Sequence, residues 1–440
     1  MQALAIFMLR GLLGVAVLLA LAWLMSSDRK RVPWRLIAWG MGLQLLLGLL
    51  VLKTPVGLAV FGGLAEFVQR LVASVEPATF LLFGTGLSSA DGTFGPAFAF
   101  AAQGLPVIIF FAALMSVLYY IGIVQILVWV FARVMMVTMG VSGAEAMAMA
   151  ANMFVGQTEA PLVVKPYLPK MTRSELNALM TGGFATVAGS VMAVYIGLFG
   201  DQGVEFGRHL LTASVMSAPA AFVIAKIMLP ERETPETQGQ IKLEIKRDAH
   251  NLIEAAANGT ADGLKLWLNV IAMLIAFIAL VALVDWPLGW VGDALLGMPL
   301  PTTDDAGVVT DPGNPLTLAK VFGWVLAPIA WVIGVQGWQD CQLFGGLLGT
   351  KIAINEFIGF LDLSQMTVGE EGGFQSARSA KMAAYALCGF ANFSSIGIQI
   401  GGITPLAPGR KTDLSKLAFR AMLGGALASC CTAAVAGMFL

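Results

Sequence analysis

The sequence predicts an all-α integral membrane protein with eight transmembrane helices, two oppositely oriented re-entrant helical hairpins, an inverted repeat and interfacial helices. Three observations support this fold class. Hydrophobic residues make up 58% of the 440 residues and charged residues only 12%, whereas soluble domains carry roughly 25% charge. Apolar segments long enough to span a membrane recur along the chain. Polar residues interrupt two further apolar stretches in a similar way, one in each half of the sequence.

Eight apolar segments approach or exceed the ~20 residues that an α-helix needs to cross a bilayer. They are residues 8–26, 36–53, 105–137, 175–199, 208–229, 265–285, 380–402 and 414–437. The first is followed by the charged residues 28–31. A cleaved signal peptide would carry its charge before the apolar region, so we expect a retained transmembrane helix. Residues 54–75 are only mildly apolar and include a proline and two charges, which favours an interfacial helix.

Basic residues are concentrated in alternate connections. Four connections carry them: residues 27–35, 165–173, 230–258 and 410–416. The connections 200–207 and 286–316 contain acidic residues but no Lys or Arg. Because short cytoplasmic loops collect Lys and Arg, we expect the first set in the cytoplasm and both termini on the periplasmic side. The polar stretch 230–263 then forms a cytoplasmic linker leading into a surface helix at 241–257.

The two interrupted stretches, residues 142–168 and 317–363, predict hairpins that enter the membrane and return on the same side. The first contains the segment Asn152–Pro161 with Glu159, and the second contains Ile354–Phe360 with Glu356. A carboxylate at bilayer depth costs roughly 2.5–3.5 kcal/mol, so both acids should face protein, water or a ligand. Broken backbone at that depth is tolerated where it is buried or lines a cavity.

Each hairpin motif is followed by a similar apolar segment that contains Gly-Phe-Ala, at 183–190 and at 389–396. With the predicted topology, the two halves are inverted relative to each other. Inverted repeats with interrupted helices are typical of secondary transporters, which bind substrate and ion near the midplane. We divide the chain into scaffold helices at 1–140, a first transport repeat at 141–229, a linker with a scaffold helix at 230–316, and a second transport repeat at 317–440.

The motif residues suit a neutral ligand with many hydroxyl and amide-like groups, because amides, hydroxyls and carboxylates occur without a facing Arg or Lys cluster. The repeated set is Gln157, Thr158, Glu159, Glu356, Asn392 and Ser395. The rings of Phe390 and Phe393 could stack on a flat ligand. The alternative is that these polar groups only join neighbouring helices. That structural interpretation is favoured for Glu145, Lys320, Asp340 and Lys351, which lie outside the repeated motifs.

A sodium ion needs oxygen ligands, which unwound backbone and nearby polar side chains can provide. Asn152, Thr186 and the carbonyl groups around Val155 and Val187 form the candidate set. No His- or Cys-rich metal spacing is found, and the four cysteines lie in apolar segments, so we expect them to pack as small hydrophobic residues. The net charge of -1, without a long basic tract, does not favour nucleic-acid binding.

Two other function classes compete with a transporter. A passive channel for neutral solutes needs a continuous polar path, whereas the polar residues here cluster at repeated breaks. A membrane-embedded enzyme could use Glu159 and Glu356 as acid and base, but the chain has only two histidines and no nucleophile or metal constellation. We therefore expect a transporter rather than an enzyme, with no cofactor apart from a coupling ion.

Three motifs resemble the signature stretches of the concentrative nucleoside transporter family, in a bacterial eight-span form. They are Gly156–Ala160, Asn355–Phe357 and Gly389–Gly397. The resemblance covers nearly the whole chain. It implies an inner-membrane homotrimer whose protomers each carry nucleoside across by an elevator mechanism. The third and sixth spans and the interfacial helix would then hold the trimer.

The resemblance also implies residue roles. Gln157, Thr158, Glu159 and Val191 would face the nucleobase; Glu356, Asn392 and Ser395 would bind the ribose hydroxyls, with Phe390 beside the ligand. Sodium would be held at Asn152, Val155, Thr186 and Val187. Close relatives are expected to have Ser where this chain has Thr186, which keeps the hydroxyl. Some bacterial members use protons, so a proton-coupled nucleoside symporter is the alternative to a sodium-coupled one.

Overall fold

The computed structural model describes residues 2–83, 100–239, 249–303, 309–311, 313–366, 368–370 and 372–440. Within them the α-helices are α1 (Gln2–Leu24), α2 (Trp34–Lys53), α3 (Pro55–Ala73), α4 (Glu76–Phe83), α5 (Val107–Ile121), α6 (Ile123–Met139), α7 (Gly143–Asn152), α8 (Ala160–Val163), α9 (Arg173–Ala185), α10 (Gly189–Leu198), α11 (Gly203–Met228), α12 (Leu252–Leu296), α13 (Leu318–Ile333), α14 (Trp338–Ala353), α15 (Glu356–Gln365), α16 (Ala377–Leu387), α17 (Phe393–Ile403) and α18 (Lys411–Gly437). A small antiparallel pair, β1 (Thr302–Thr303) and β2 (Val309–Asp311), follows α12.

Seven helical segments in the described residues are long and apolar enough to cross a membrane, or eight if one bent pair counts as a span. The chain is therefore a multi-pass membrane protein. Five of the predicted segments fall in such helices directly, and 265–285 lies inside the 45-residue helix α12. Residues 55–83 are also long and apolar enough to cross a membrane, although we expected an interfacial helix at 54–75.

Three predicted spans are broken in the structure, and one of them, residues 175–199, forms α9 and α10 with a three-residue break between them. Residues 105–137 form α5 and α6, which meet at an angle of 74°. The break lies at Gly122, whose φ of 99° is a left-handed conformation that only glycine adopts readily. Residues 380–402 form the shorter helices α16 and α17 instead of one continuous helix.

The long helix α12 joins two regions that we predicted separately. Asn251 caps its start by accepting a hydrogen bond from the Glu254 amide at 2.9 Å, and the left-handed Gly297 ends it. The helix therefore extends well beyond 265–285 in both directions. Part of the surface helix predicted at 241–257 lies outside the described residues, and residues 249–251 are not helical.

Helix α12 packs closely against α5 through a Gly-x-x-x-Gly pair. A Cβ atom at Gly259 would lie 2.6 Å from the Ala112 carbonyl oxygen, and one at Gly263 would lie 2.7 Å from the Ile109 Cα. Small residues at this spacing let helix backbones approach each other in membranes. Most other side chains of α12 are exposed on the isolated chain.

The interior of the molecule is formed by α9, α10, α11, α16 and α18. These helices bury large side chains such as Phe184, Tyr195, Phe222 and Tyr385 completely. The same order of elements occurs twice around this interior: a helix, a break, a second helix, a broken helix pair and a long helix. The first set runs from α7 to α11 and the second from α14 to α18.

The four basic connections meet at one end of the molecule. Arg232 contacts Asp28 at 2.9 Å, and Lys170 contacts Glu236 at 2.8 Å. The Arg410 guanidinium donates to the Pro169 carbonyl oxygen at 3.1 Å. The hydrogen bond to Glu236 and its negative charge raise the pKa of Lys170, so this lysine is charged at physiological pH.

Candidate functional site

The first polar motif lies at a break between α7 and α8. A capping box of Ser142 and Glu145 starts α7, and the helix ends at Asn152. Residues 153–159 are not helical, and Pro161 in the first turn of α8 begins the return. The interruption therefore presents Gln157, Thr158 and Glu159 from a non-helical segment rather than from a regular helix face.

The second polar motif lies at a two-residue break between α14 and α15. The Asn355 side chain accepts a hydrogen bond from the Ile358 amide at 3.0 Å and so caps α15. Asparagine is favoured at this position because its side-chain oxygen satisfies a free helix amide. Glu356 is consequently the first residue of α15, next to the break.

Two further breaks bring the halves into direct contact. Residues 186–188 separate α9 from α10, and residues 388–392 separate α16 from α17. Gly389 has a φ of 117°, and a Cβ atom there would lie only 2.6 Å from the Phe184 carbonyl oxygen. Both the conformation and the space therefore require glycine at this contact.

One cavity of about 170 Å³ lies where the polar motifs converge. All eight residues that we predicted to bind substrate line it: Gln157, Thr158, Glu159, Val191, Glu356, Phe390, Asn392 and Ser395. None of its described lining residues is Lys or Arg. The cavity thus combines amides, hydroxyls, two carboxylates and apolar surface, which suits a neutral ligand with many hydrogen-bonding groups.

Hydrogen bonds at the cavity join the two halves of the chain. Glu356 accepts from the Tyr195 hydroxyl and from the Asn392 amide, each at 2.9 Å. Gln157 donates to the Ser395 hydroxyl at 3.3 Å, and its oxygen accepts from Gln399 at 3.0 Å. Glu159 remains exposed at the cavity.

The predicted cation ligands lie beside the cavity, not in its lining. Ala188, which directly follows Val187, is a lining residue. Asn152 is 1% exposed, and neither polar atom of its side chain has a hydrogen-bond partner. The Thr186 hydroxyl is also buried and donates to the Gly182 carbonyl oxygen at 2.9 Å. A buried amide without partners is costly, so the residues at this location fit a sodium ion.

Sequence reasoning missed several polar residues at the site and misassigned one ring. Tyr195 and Gln399 were not predicted, although they lie four residues after Val191 and Ser395 and therefore share their helix faces. Phe393, which we considered for stacking, is exposed and faces Phe419 with a ring distance of 6.3 Å. It does not line the cavity.

The acids and lysines outside the motifs make internal contacts. Glu145 pairs with Lys226 at 2.7 Å, and both side chains are buried. Asp340 accepts from the amides of Gln375 and Ser376. The Lys320 amine donates to the Pro315 carbonyl oxygen at 2.6 Å. All four cysteines are free and buried.

Comparison with known proteins agrees with this organisation. The sequence profile described as "Na+ dependent nucleoside transporter C-terminus" matches residues 209–437, and the corresponding N-terminus profile matches residues 13–85. A profile described as "Nucleoside recognition" matches residues 101–202. The motif-bearing parts of the chain are thus covered almost completely.

Relatives and solved structures match over nearly the whole chain. Sodium/nucleoside cotransporter 1 of Rattus norvegicus is 39% identical over 97% of this chain, although the match spans only 63% of that relative. An uncharacterized transporter of Haemophilus influenzae is 39% identical, with 98% of both chains covered. The structure of CNTnw in an inward-facing substrate-bound state matches with a TM-score of 0.86 and 39% identity, covering 98% of each chain. The chain belongs to the Na+ dependent nucleoside transporter family, the concentrative nucleoside transporters, whose signature its motifs resemble.

Proposed function

We propose that this protein is a sodium-coupled symporter that takes nucleosides into the cell. The observation that carries the proposal is the cavity at which polar residues from both halves meet, beside a buried Asn152 amide without partners. The relatives are named as sodium/nucleoside cotransporters or transporters. Since the rat relative is longer than this chain, its activity is proposed here on the basis of this chain's own site.

The two halves of the chain would contact different parts of a bound nucleoside. Glu356, Asn392 and Ser395 lie on the second half and offer hydrogen-bonding groups for ribose hydroxyls. Gln157, Thr158, Glu159 and Val191 lie on the first half and would face the base, with Phe390 beside the ligand. The two carboxylates and the lack of Lys or Arg in the described lining disfavour a phosphorylated substrate.

Sodium would bind where the break between α7 and α8 meets the break between α9 and α10. The Asn152 side-chain oxygen and the Thr186 hydroxyl are buried next to freed backbone around Val155 and Val187, which gives hard oxygen ligands at one place. Within the described residues no three His, Cys, Asp or Glu side chains cluster as a metal site, and sodium needs none. One cation moved across ~100 mV contributes ~2.3 kcal/mol, enough for more than tenfold accumulation.

Proton coupling is the second candidate. Glu356 is 5% exposed and forms no ion pair within 4 Å among the described residues, so it could carry a proton instead of a charge. In that case Glu356 would both bind the substrate and carry the coupled proton. Proton coupling predicts that transport follows the pH gradient and ignores sodium.

We further propose an elevator mechanism for the transport step. Residues 141–229 and 317–440, with two oppositely inserted hairpins, would move as the transport unit against the scaffold formed by residues 1–140 and 230–316. Support comes from the lining of the cavity, because Leu266, Val270, Met273 and Leu274 of α12 close one side of it. A boundary between a moving part and a scaffold at the substrate is what such a mechanism requires.

The assembly and orientation are also proposals. The exposed apolar side chains of α3, such as Val56, Val60 and Phe67, and those of α12 provide surfaces for a homotrimer or for lipid. The four basic connections meet at one end, which we place in the cytoplasm of a bacterial inner membrane. Both termini would then lie on the periplasmic side.

Uptake of radiolabelled uridine into proteoliposomes tests the function. Four conditions are compared: an inward sodium gradient, an inward proton gradient, both, and neither. We expect accumulation above equilibrium whenever the sodium gradient is present, alone or with the proton gradient, and not otherwise. Other nucleosides should compete for uptake, whereas uridine monophosphate should not. Accumulation that follows only the proton gradient would establish the alternative. Equilibration without accumulation would indicate a passive channel and contradict symport.

A further inference from the structure

Lys351 is a fully buried lysine to which the proposed function assigns no role. Its ammonium donates to the Ala386 carbonyl oxygen at 2.8 Å, to the Cys388 carbonyl oxygen at 3.3 Å and to the Ser429 hydroxyl at 3.1 Å. No carboxylate lies within 4 Å of it among the described residues. A buried ammonium is costly unless its surroundings compensate for lost hydration, so these three oxygen atoms must do so.

The oxygen atoms belong to a helix end that a break has exposed. Ala386 lies in the last turn of α16, and Cys388 is its C-terminal cap. Carbonyl groups at a helix C-terminus have no partner within the helix and carry partial negative charge. Lys351, in the last turn of α14, therefore places a cation on the freed carbonyl groups of the second broken helix.

The first half of the chain has the same arrangement without a built-in charge. In the repeated order of elements, α7 corresponds to α14 and α9 corresponds to α16. Asn152 is the last residue of α7, and Thr186 is the C-terminal cap of α9. The Asn152 side chain is buried and neutral, and both of its polar atoms are unpaired. Thus one half presents a charged side chain with three partners, whereas the other presents an amide with none.

We propose that Lys351 is a tethered cation, which supplies at the second break the positive charge that a mobile sodium ion supplies at the first. The inference rests on the proposed function, because it requires a cation at the first break. It deepens that function by explaining how two equivalent breaks differ in their dependence on sodium. On this proposal the cation at the second break belongs to the chain, and only the first break responds to the ion gradient.

The tethered cation would hold the ribose-binding residues in place. Glu356 follows Lys351 by five residues across the α14–α15 break, and Asn392 follows Cys388 by four residues across the α16–α17 break. Lys351 links the helices that precede both breaks. It acts as a positioning residue, because it is not among the residues that line the cavity.

Uridine binding to purified Lys351→Met, Lys351→Ala and the parent, titrated with sodium, tests the inference. Lys351→Met keeps the length of the side chain but removes its charge, and we expect at least a roughly tenfold loss of uridine affinity. Lys351→Ala leaves space, and we expect added methylammonium, or sodium at raised concentration, to restore binding in part. Lys320→Met is the matched control, since Lys320 also donates to a backbone carbonyl but is half-buried, away from the breaks.

The rescue separates a tethered cation from a lysine that only fills space. Parental affinity and parental sodium dependence in Lys351→Met would overturn the inference. So would a failure of every small cation to restore either uridine binding or the folded fraction of Lys351→Ala, even if both variants fold poorly. The parent measured in the same titration reports on the proposed function: if its uridine binding is independent of sodium, the function fails irrespective of the variants.

Discussion

Glu356 offers the sharpest test of the site because both of its carboxylate oxygens already have partners. One accepts from the Tyr195 hydroxyl and the other from the Asn392 amide, each at 2.9 Å. In Glu356→Gln one oxygen becomes an NH₂ group, which can donate to the Tyr195 hydroxyl while the remaining oxygen still accepts from the Asn392 amide. The substitution keeps the shape of the side chain and changes only its charge and its capacity to accept hydrogen bonds.

The magnitude follows from the loss of a hydrogen bond to a charged group. Such bonds contribute about 1.5–3 kcal/mol, so we expect Glu356→Gln to weaken uridine binding roughly tenfold to a hundredfold. Calorimetric titration of uridine at saturating sodium measures this directly. The exposed Glu66 on α3 provides the matched control, and Glu66→Gln should bind like the parent.

The melting temperature without uridine separates a binding effect from a folding effect. We expect it not to fall, because removing a buried charge relieves a desolvation cost. A variant with parental uridine affinity would refute the assignment of Glu356 to the ribose. A large fall in melting temperature together with lost binding would show that the residue acts through the fold instead.

Three further substitutions test the breaks and the interior. Thr186→Val removes a hydroxyl at constant shape and should lower the apparent sodium affinity roughly 2- to 10-fold, whereas Thr186→Ser should not; sodium titration of uridine binding distinguishes them. Lys226→Met leaves the buried Glu145 without its partner at 2.7 Å, which should destabilise the protein by about 3–5 kcal/mol, and an unchanged thermal melting curve would contradict this. Gly389→Ala places a Cβ atom 2.6 Å from a carbonyl oxygen at a φ of 117°, so melting temperature and uridine affinity should both drop, unlike in Gly401→Ala, where a Cβ atom meets open space.

The sequence predicted most helices because a bilayer imposes a length and a composition on each of them. The family identification on the motifs around Glu159, Glu356 and Asn392 is confirmed by the matching profiles and relatives. The bend at Gly122 was not located, because apolar residues continue on both sides of it. Hydropathy does not show where the axis of a helix changes direction. The full length of α12 was missed for a different reason. Charged residues near its two ends, such as Asp262 and Asp293, resemble the connections between spans.

The site residues were predictable where polarity is unexpected in an apolar segment. Gln157 and Glu356 stand out in this way, whereas Tyr195 and Gln399 belong to helices without a signature of their own. Their roles depend on which helix faces meet across the two halves, which is a property of packing. The same holds for Lys351, whose sequence neighbours do not indicate that its ammonium lies on a distant helix end.

Thermodynamic linkage between sodium and uridine binding tests the central claim most directly. If a cation and a nucleoside bind at adjoining breaks of the same elements, each should strengthen the binding of the other by the same factor. Uridine affinity is measured across sodium concentrations at constant ionic strength, and sodium affinity is measured with and without uridine. We predict equal enhancement in both directions. Uridine affinity that is independent of sodium would contradict the account.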